Sequence, residues 1–194
     1  MRGGVISYGS FVMITRLGDQ LQEILPGLLS FGQWKVVFEI LALLLIGLAG
    51  WLAVRKPLPI SAAYERNLAA FRIGSSIYVG TFLLGNNWDY RLAFLVLVIP
   101  QLTEWVQLDN KKQRLAVIGV IIAVLISCWH FMLTIDPLFL PLKDPIKRNF
   151  IFDEFVNWLL VPGFTYLLLA SAPDWVKDQF SFLLPKKNSV RVVE

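Results

Sequence analysis

Hydrophobic and polar residues fall in long blocks along this chain. Three apolar runs stand out, at 36–54, 115–135 and 155–172, and only the first carries a charge, at Glu39. A helix crosses the hydrocarbon core of a bilayer with roughly 20 mostly apolar residues. Each of the three runs therefore predicts a membrane-spanning helix.

Two weaker runs lie between the first pair. The run 68–84 contains Arg72, and the run from 92 remains apolar until it reaches Glu104. Only helices and closed barrels satisfy their backbone inside lipid, and these runs lack the alternation of barrel strands. The pattern predicts an all-α, multi-pass transmembrane bundle of about five spans. The predicted spans are 36–54, 68–84, 92–108, 115–135 and 155–173.

The remaining segments complete a three-part organisation. Residues 1–35 hold an apolar stretch, Val5–Thr15, that is too short to span a bilayer. They predict an N-terminal interfacial or re-entrant segment. Residues 36–175 form the predicted transmembrane helical domain, and residues 176–194 form a basic cytoplasmic tail.

Three pairs of tryptophans bracket predicted spans, and the members of each pair lie 17 residues apart. The pairs are Trp34 with Trp51, Trp88 with Trp105, and Trp158 with Trp175. Such a spacing measures roughly 25 Å along a helix, and indole rings prefer the headgroup level. The spacing predicts two aromatic belts, with chance coincidence among seven tryptophans as the alternative.

Composition supports the membrane class. The chain is 56% hydrophobic and 16% charged, with a mean hydropathy of +0.62, whereas soluble chains average about 25% charged residues. Intrinsic disorder is excluded by this balance. A single cysteine, Cys128, excludes a disulfide scaffold, and a single histidine, His130, argues against zinc. We expect membrane lipids as partners, no nucleic acid and no cofactor.

Charge asymmetry predicts the orientation. With five spans, Lys and Arg number 7 on the N-terminal side and 10 on the other. Because positive residues are retained in the cytoplasm, the turn before the third span is expected outside and the C-terminus inside the plasma (inner) membrane. The loop Asp136–Asn149 is expected outside as well. The net charge of +4 then indicates anchoring to anionic lipid.

The turn Gly85–Arg91 carries the candidate binding chemistry. Its candidate site residues are Asn86, Asn87, Trp88, Asp89, Tyr90 and Arg91. A guanidinium binds phosphate through two parallel hydrogen bonds, carboxamides reach hydroxyl groups, and aromatic rings lie against sugar faces. The block therefore predicts a site for a phosphate-and-sugar headgroup. The alternative is local and structural: asparagines for a tight turn, Asp89 as a helix cap and Arg91 at the lipid interface.

Other polar residues leave two interpretations open. Arg72 either extends to the cytoplasmic interface or faces protein, and Glu39 is expected at the outer headgroup level. Asp153 and Glu154 suit a solvated first helical turn, with a general base or metal ligands as the alternative. No catalytic residue or metal site is assigned.

Small residues recur on one face of the second span. Gly74, Tyr78, Thr81 and Gly85 share that face by helical spacing. They predict close helix contact, with a substrate groove as the alternative.

Residues 71–92, FRIGSSIYVGTFLLGNNWDYRL, resemble a segment in the C-terminal half of bacterial GT-C class membrane glycosyltransferases that use polyprenol-phosphate sugars, in the mannosyltransferase-like branch. Phe94-Leu95 and Ile99–Leu102 extend the resemblance. It implies sugar transfer at the outer face, with Arg91, Asp89 and the two asparagines near a headgroup. That class has more spans and an acidic outer loop after its first helix. The resemblance therefore implies a separated C-terminal piece, a truncated gene product or a stand-alone relative without catalysis.

Three functions stay open at this point. The first is a glycosyltransferase or its membrane half. The second is a non-catalytic scaffold or assembly partner in cell-envelope biogenesis. The third is a small transporter, which is disfavoured because neither paired repeats nor broken midplane helices are evident.

Overall fold

The computed structural model of the chain describes residues 7–8, 13, 27, 29–55, 65–84, 87–129 and 145–179. Within them the fold is all-α, as predicted, apart from two strands of two residues each. The elements are β1 (Ser7–Tyr8), α1 (Phe31–Arg55), α2 (Glu65–Leu83), β2 (Asn87–Trp88), a 3₁₀-helix (Asp89–Val98), α3 (Ile99–Trp105), α4 (Lys111–Trp129), α5 (Pro145–Ala170) and α6 (Asp174–Gln179).

Helix α5 packs against α1, α2 and α4. It runs parallel to α1, because Phe38 meets Trp158 and, further along both helices, Gly50 meets Leu169. The neighbouring helix α2 runs antiparallel to α5. Phe82, near the end of α2, meets Trp158, whereas Phe71, near its start, meets Phe164, which lies further along α5. The described helices therefore form an up-and-down bundle around α5.

Small residues let α1 approach the bundle. The buried residues of α1 are Ala42, Ala49 and Ala53. A Cβ atom added at Gly50 would lie 3.1 Å from Cδ1 of Leu169, so the two helices are already in close contact there. Small side chains at an interface are how helices in apolar surroundings gain van der Waals contact. The remaining face of α1 is apolar and exposed.

The 3₁₀-helix and α3 pack along α2 at one close approach. A Cβ atom at Gly74 would lie 2.6 Å from the backbone oxygen of Phe94 and 3.1 Å from Cβ of Leu97. This confirms the predicted close helix contact at Gly74. The change from 3₁₀ to α geometry coincides with Pro100, which has no N–H for an i→i−4 hydrogen bond.

Helix boundaries depart from the predicted spans most in two places, while α1 and α4 begin at Phe31 and Lys111, before their predicted starts. The third span is not one α-helix but the 3₁₀-helix followed by α3. The last helix begins at Pro145 rather than near 155, since proline suits the first turn of a helix and no helix breaker follows until Pro162. In the fourth span, the described helix ends at Trp129, and residues 130–135 lie outside the described residues.

Among the described residues, one helix is long and apolar enough to cross a membrane by length and composition, namely α1 near the N-terminus. Two tryptophans of the predicted aromatic belts do not face outward from the bundle. Trp105 and Trp158 are buried in the core, where they contact Phe71 and Phe82 respectively. Most of the predicted segment 1–35, and the end of the predicted tail, 180–194, lie outside the described residues.

Candidate functional site

Polar side chains meet inside the bundle at the junction of α2, α4 and α5. The Tyr78 hydroxyl donates a 2.5 Å hydrogen bond to Oδ1 of Asn157, and the Ser127 hydroxyl donates one of 3.0 Å to the same oxygen. All three side chains are buried. A carboxamide oxygen has two lone pairs, so these two donors use both. One residue of α5 is thereby tied to two neighbouring helices.

Glu154 belongs to the same face of α5. It lies three residues before Asn157, a spacing that places two side chains on one helix face, and it is fully buried. The prediction that Glu154 lies in a solvated first helical turn is wrong, because α5 begins nine residues earlier and this carboxyl faces the core. We call Tyr78, Ser127, Glu154 and Asn157 the polar layer.

Aromatic rings pack against and beside the polar layer. Tyr78 packs edge-on against Phe164, with ring centroids 5.4 Å apart. Trp158 contacts Phe38, at 5.6 Å between ring centroids, and Phe82, at 5.5 Å, again edge-on in both cases. Apolar surroundings of this kind lower the local dielectric constant, which strengthens hydrogen bonds within the layer and raises the cost of breaking them.

The predicted binding residues lie at the nearby end of α2. Asn86 lies outside the described residues, and for Asn87 to Arg91 the structure describes the backbone. Asn87 and Trp88 form β2, which pairs antiparallel with β1, so that Trp88 lies opposite Ser7. Asp89, Tyr90 and Arg91 then open the 3₁₀-helix. Ser7 and Tyr8 are thus brought to the predicted site, a juxtaposition that hydropathy did not predict.

The polar layer and this turn occupy the same end of the bundle. Tyr78 lies five residues before the end of α2 at Leu83, or about 7.5 Å along the helix. Because α5 runs opposite to α2, Glu154 is displaced from Asn157 toward the turn, by about 4.5 Å. The layer therefore lies within about two helical turns of the predicted headgroup residues.

A second set of polar contacts lies at the opposite end. Nη2 of Arg72 donates a hydrogen bond to the backbone carbonyl of Ser171, immediately after α5 ends. The half-buried guanidinium therefore faces protein, the second of the two interpretations, and caps a helix C-terminus, where a cation is favoured. Nδ2 of Asn67 donates to Oε1 of Glu104, which joins α2 to α3.

Sequence reasoning missed Asn157 and Ser127. Charged residues stand out within the apolar runs, but an amide or hydroxyl there also demands a partner. Asn157 carried a usable signal, because it is the sole amide in the run 155–172. No group of three or more His, Cys, Asp or Glu residues that could hold a metal ion occurs in the part of the chain that the structure describes.

Comparison of the chain with models of protein families, with curated proteins and with solved structures finds no match.

Proposed function

We propose that this chain is a multi-pass integral membrane protein of the plasma membrane, and that it forms the membrane-embedded part of a glycosyltransferase that uses a polyprenol-phosphate sugar. The proposal has two parts. The first is that lipid surrounds the bundle, and the second is that the turn Gly85–Arg91 binds the headgroup of a polyprenol-phosphate sugar.

The distribution of polar and apolar side chains carries the first part. Large apolar side chains on α1, α2, α4 and α5 are exposed, among them Leu44 at 64%, Ile73 at 57%, Leu115 at 57% and Leu159 at 54%. Several polar side chains, by contrast, are buried between the helices, with Glu154 and Asn157 fully enclosed. Extensive exposed apolar surface marks contact with a membrane or a partner. A bundle that faces hydrocarbon has this inverted arrangement.

Helix lengths support several crossings. Helices α2 and α4 have 19 residues each, and α5 has 26, which correspond to about 28 Å and about 39 Å. The 3₁₀-helix has ten residues and α3 has seven. At about 2.0 and 1.5 Å per residue they extend together for about 30 Å. That length equals the hydrocarbon thickness of a typical bilayer.

The residue composition of the turn supports the second part. Arg91 supplies a guanidinium for phosphate, Asn86 and Asn87 supply carboxamides for sugar hydroxyls, and Trp88 and Tyr90 supply rings for a sugar face. The resemblance of residues 71–102 to polyprenol-phosphate-dependent enzymes agrees with this chemistry. The buried polar layer beneath the turn would hold α2 and α5 in place while a headgroup binds above them.

Substitution of Arg91 tests the functional part. In membranes of a host that depends on this chain for lipid-linked sugar transfer, Arg91→Ala should abolish release of polyprenol phosphate from its sugar ester. Arg91→Lys should keep partial activity, because an ammonium keeps the charge but not the paired hydrogen bonds. Lys186→Ala, in the predicted tail, serves as the control and should remain active.

Two outcomes would contradict the glycosyltransferase proposal. Full activity of Arg91→Ala at normal protein levels would make the turn a simple connector. Loss of activity only through loss of the protein from the membrane would favour the non-catalytic scaffold. Extraction with alkaline carbonate tests the membrane part separately, since a chain released into the soluble fraction is not integral.

A further inference from the structure

Exposed apolar rows on three helices end in exposed cations. Within each row the residues lie three, four or seven positions apart and so share one helix face. The rows are Leu48, Leu52 and Arg55 on α1, Ile73 and Arg66 on α2, and Ile122, Leu115 and Lys111 on α4. All of these side chains are exposed.

The cations of the three rows lie at one end of the bundle. Helix α1 ends there, and α2 and α4 begin there, because they run antiparallel to α1 and α5. The C-terminus of α5 marks the same end through the contact of Arg72 with Ser171. Lys112 and Arg114 add two further exposed cations on α4. We call Arg55, Arg66, Lys111, Lys112 and Arg114 the basic rim.

Few acidic side chains offset the basic rim. Among the described side chains at this end, Glu65 and Asp109 are exposed, and Glu104 is half-buried in its contact with Asn67. The first turn of α4 contains no acidic residue. Among the described side chains at this end, five exposed cations against two exposed carboxylates give an excess of positive charge.

Aromatic residues mark the boundary between the apolar rows and the basic rim. The guanidinium of Arg55 lies 4.1 Å from the ring centroid of Trp51, and both side chains are exposed. Trp175, in α6, is 71% exposed at the same end. Indole rings and arginines collect at the headgroup level of a bilayer, where an apolar and a charged layer meet.

We infer that the basic rim binds the phosphate groups of anionic phospholipids in one leaflet. The partner must present hydrocarbon to the apolar rows and negative charge to the cations at their ends, and a phospholipid does both within one molecule. An acidic protein or a nucleic acid would satisfy the cations alone. The inference rests on the membrane part of the proposed function and is independent of the sugar chemistry.

Reconstitution tests the inference. The full chain is placed in nanodiscs of phosphatidylcholine alone or of an equimolar mixture with phosphatidylglycerol, and the midpoint of thermal unfolding is measured. Phosphatidylglycerol should raise the midpoint by several degrees. The triple variant Lys111→Gln, Lys112→Gln, Arg114→Gln should lose more than half of that rise. Lys35→Gln, at the opposite end of α1, should keep the full rise. The double variant Lys111→Arg, Lys112→Arg should also keep the rise, because it retains both positive charges.

Three results would overturn the inference. The unsubstituted chain could show no difference between the two lipids, or the triple variant could keep the full rise. Soluble glycerol phosphate could also reproduce the rise, which would indicate binding of free phosphate. If the triple variant does not fold, Arg55→Gln replaces it and should lose part of the rise. If the chain stays in membranes after a carbonate wash but its unfolding midpoint does not depend on the lipid, only this inference is contradicted, and the proposal that the protein is integral to the membrane stands.

Discussion

The Tyr78 hydroxyl and the Asn157 side-chain carbonyl, 79 residues apart in the sequence, meet at 2.5 Å inside the bundle. Ser127 donates to the same oxygen from a third helix. In apolar surroundings the partners of such a contact cannot turn to water instead. The contact therefore fixes the level at which α2, α4 and α5 lie side by side.

Removing the donor and removing the acceptor should destabilise the bundle by different amounts. Tyr78→Phe deletes one donor and should cost about 1 kcal/mol, in the range of hydrogen bonds between membrane helices. Asn157→Leu leaves the hydroxyls of Tyr78 and Ser127 without their acceptor and should cost about 2 kcal/mol. Unfolding by a denaturing detergent from mild micelles measures both values. Ser76→Ala, at an exposed position on α2, should change nothing.

Gly74 should not tolerate a methyl group. An added Cβ would lie 2.6 Å from a backbone oxygen of the 3₁₀-helix, which cannot move away as a side-chain tip can. Gly74→Ala should therefore destabilise the protein by about 1–3 kcal/mol, as overpacking usually does. Gly80→Ala, on the same helix with nothing within 4 Å, should be neutral or slightly stabilising. Equal stability of the two variants would show that α2 and the 3₁₀-helix do not pack this closely.

The helix cap formed by Arg72 gives a third prediction. Arg72→Gln removes the cation from the C-terminus of α5 and should lower the free energy of unfolding by about 1–2 kcal/mol. Arg66→Gln, at an exposed position on the same helix, should have little effect in neutral detergent. Detergent-induced unfolding of both variants is the measurement. If Arg66→Gln lowered the free energy of unfolding by as much, the effect would come from the charge of α2 in general and not from the contact of Arg72 with the end of α5.

Membrane orientation is tested by accessibility of single cysteines. Because Cys128 is exposed, the background is Cys128→Ser. An impermeant maleimide applied to intact cells should label Asn87→Cys and should leave Lys112→Cys unlabelled until the membrane is opened. The physical reason is the excess of Lys and Arg on the side of Lys112. The reverse labelling pattern would invert the topology.

The positions of the helices followed from hydropathy more closely than their ends did. Apolar runs at 36–54 and 68–84 correspond to α1 and α2, because burial in any apolar environment requires that pattern. The start of α5 did not follow, since five of the residues 145–154 are charged or amide side chains, and helix formation there depends on backbone geometry at Pro145. Glu154 was consequently assigned to water, although it faces the core.

Only part of the candidate site could be predicted from the sequence. The residues of the polar turn stand out because they are contiguous, but their roles stay a prediction. The polar layer draws single residues from three helices, and no local pattern joins Tyr78, Ser127 and Asn157. Likewise, the tryptophan spacing could not distinguish an indole at the headgroup level from one in the core. Trp158 lies in the core, where it makes edge-on contacts with Phe38 and Phe82.

The 3₁₀-helix bears on how this segment tolerates insertions and deletions. With three residues per turn, side chains three apart lie in one row, and the buried residues Leu95 and Val98 have that spacing. Adding or removing three residues here would preserve which side chains face α2, while changing the length of the segment by about 6 Å. One or two residues would rotate the row away from Gly74 by a third of a turn. Length variation in this part of the chain should therefore occur in triplets, unlike that of an α-helical span.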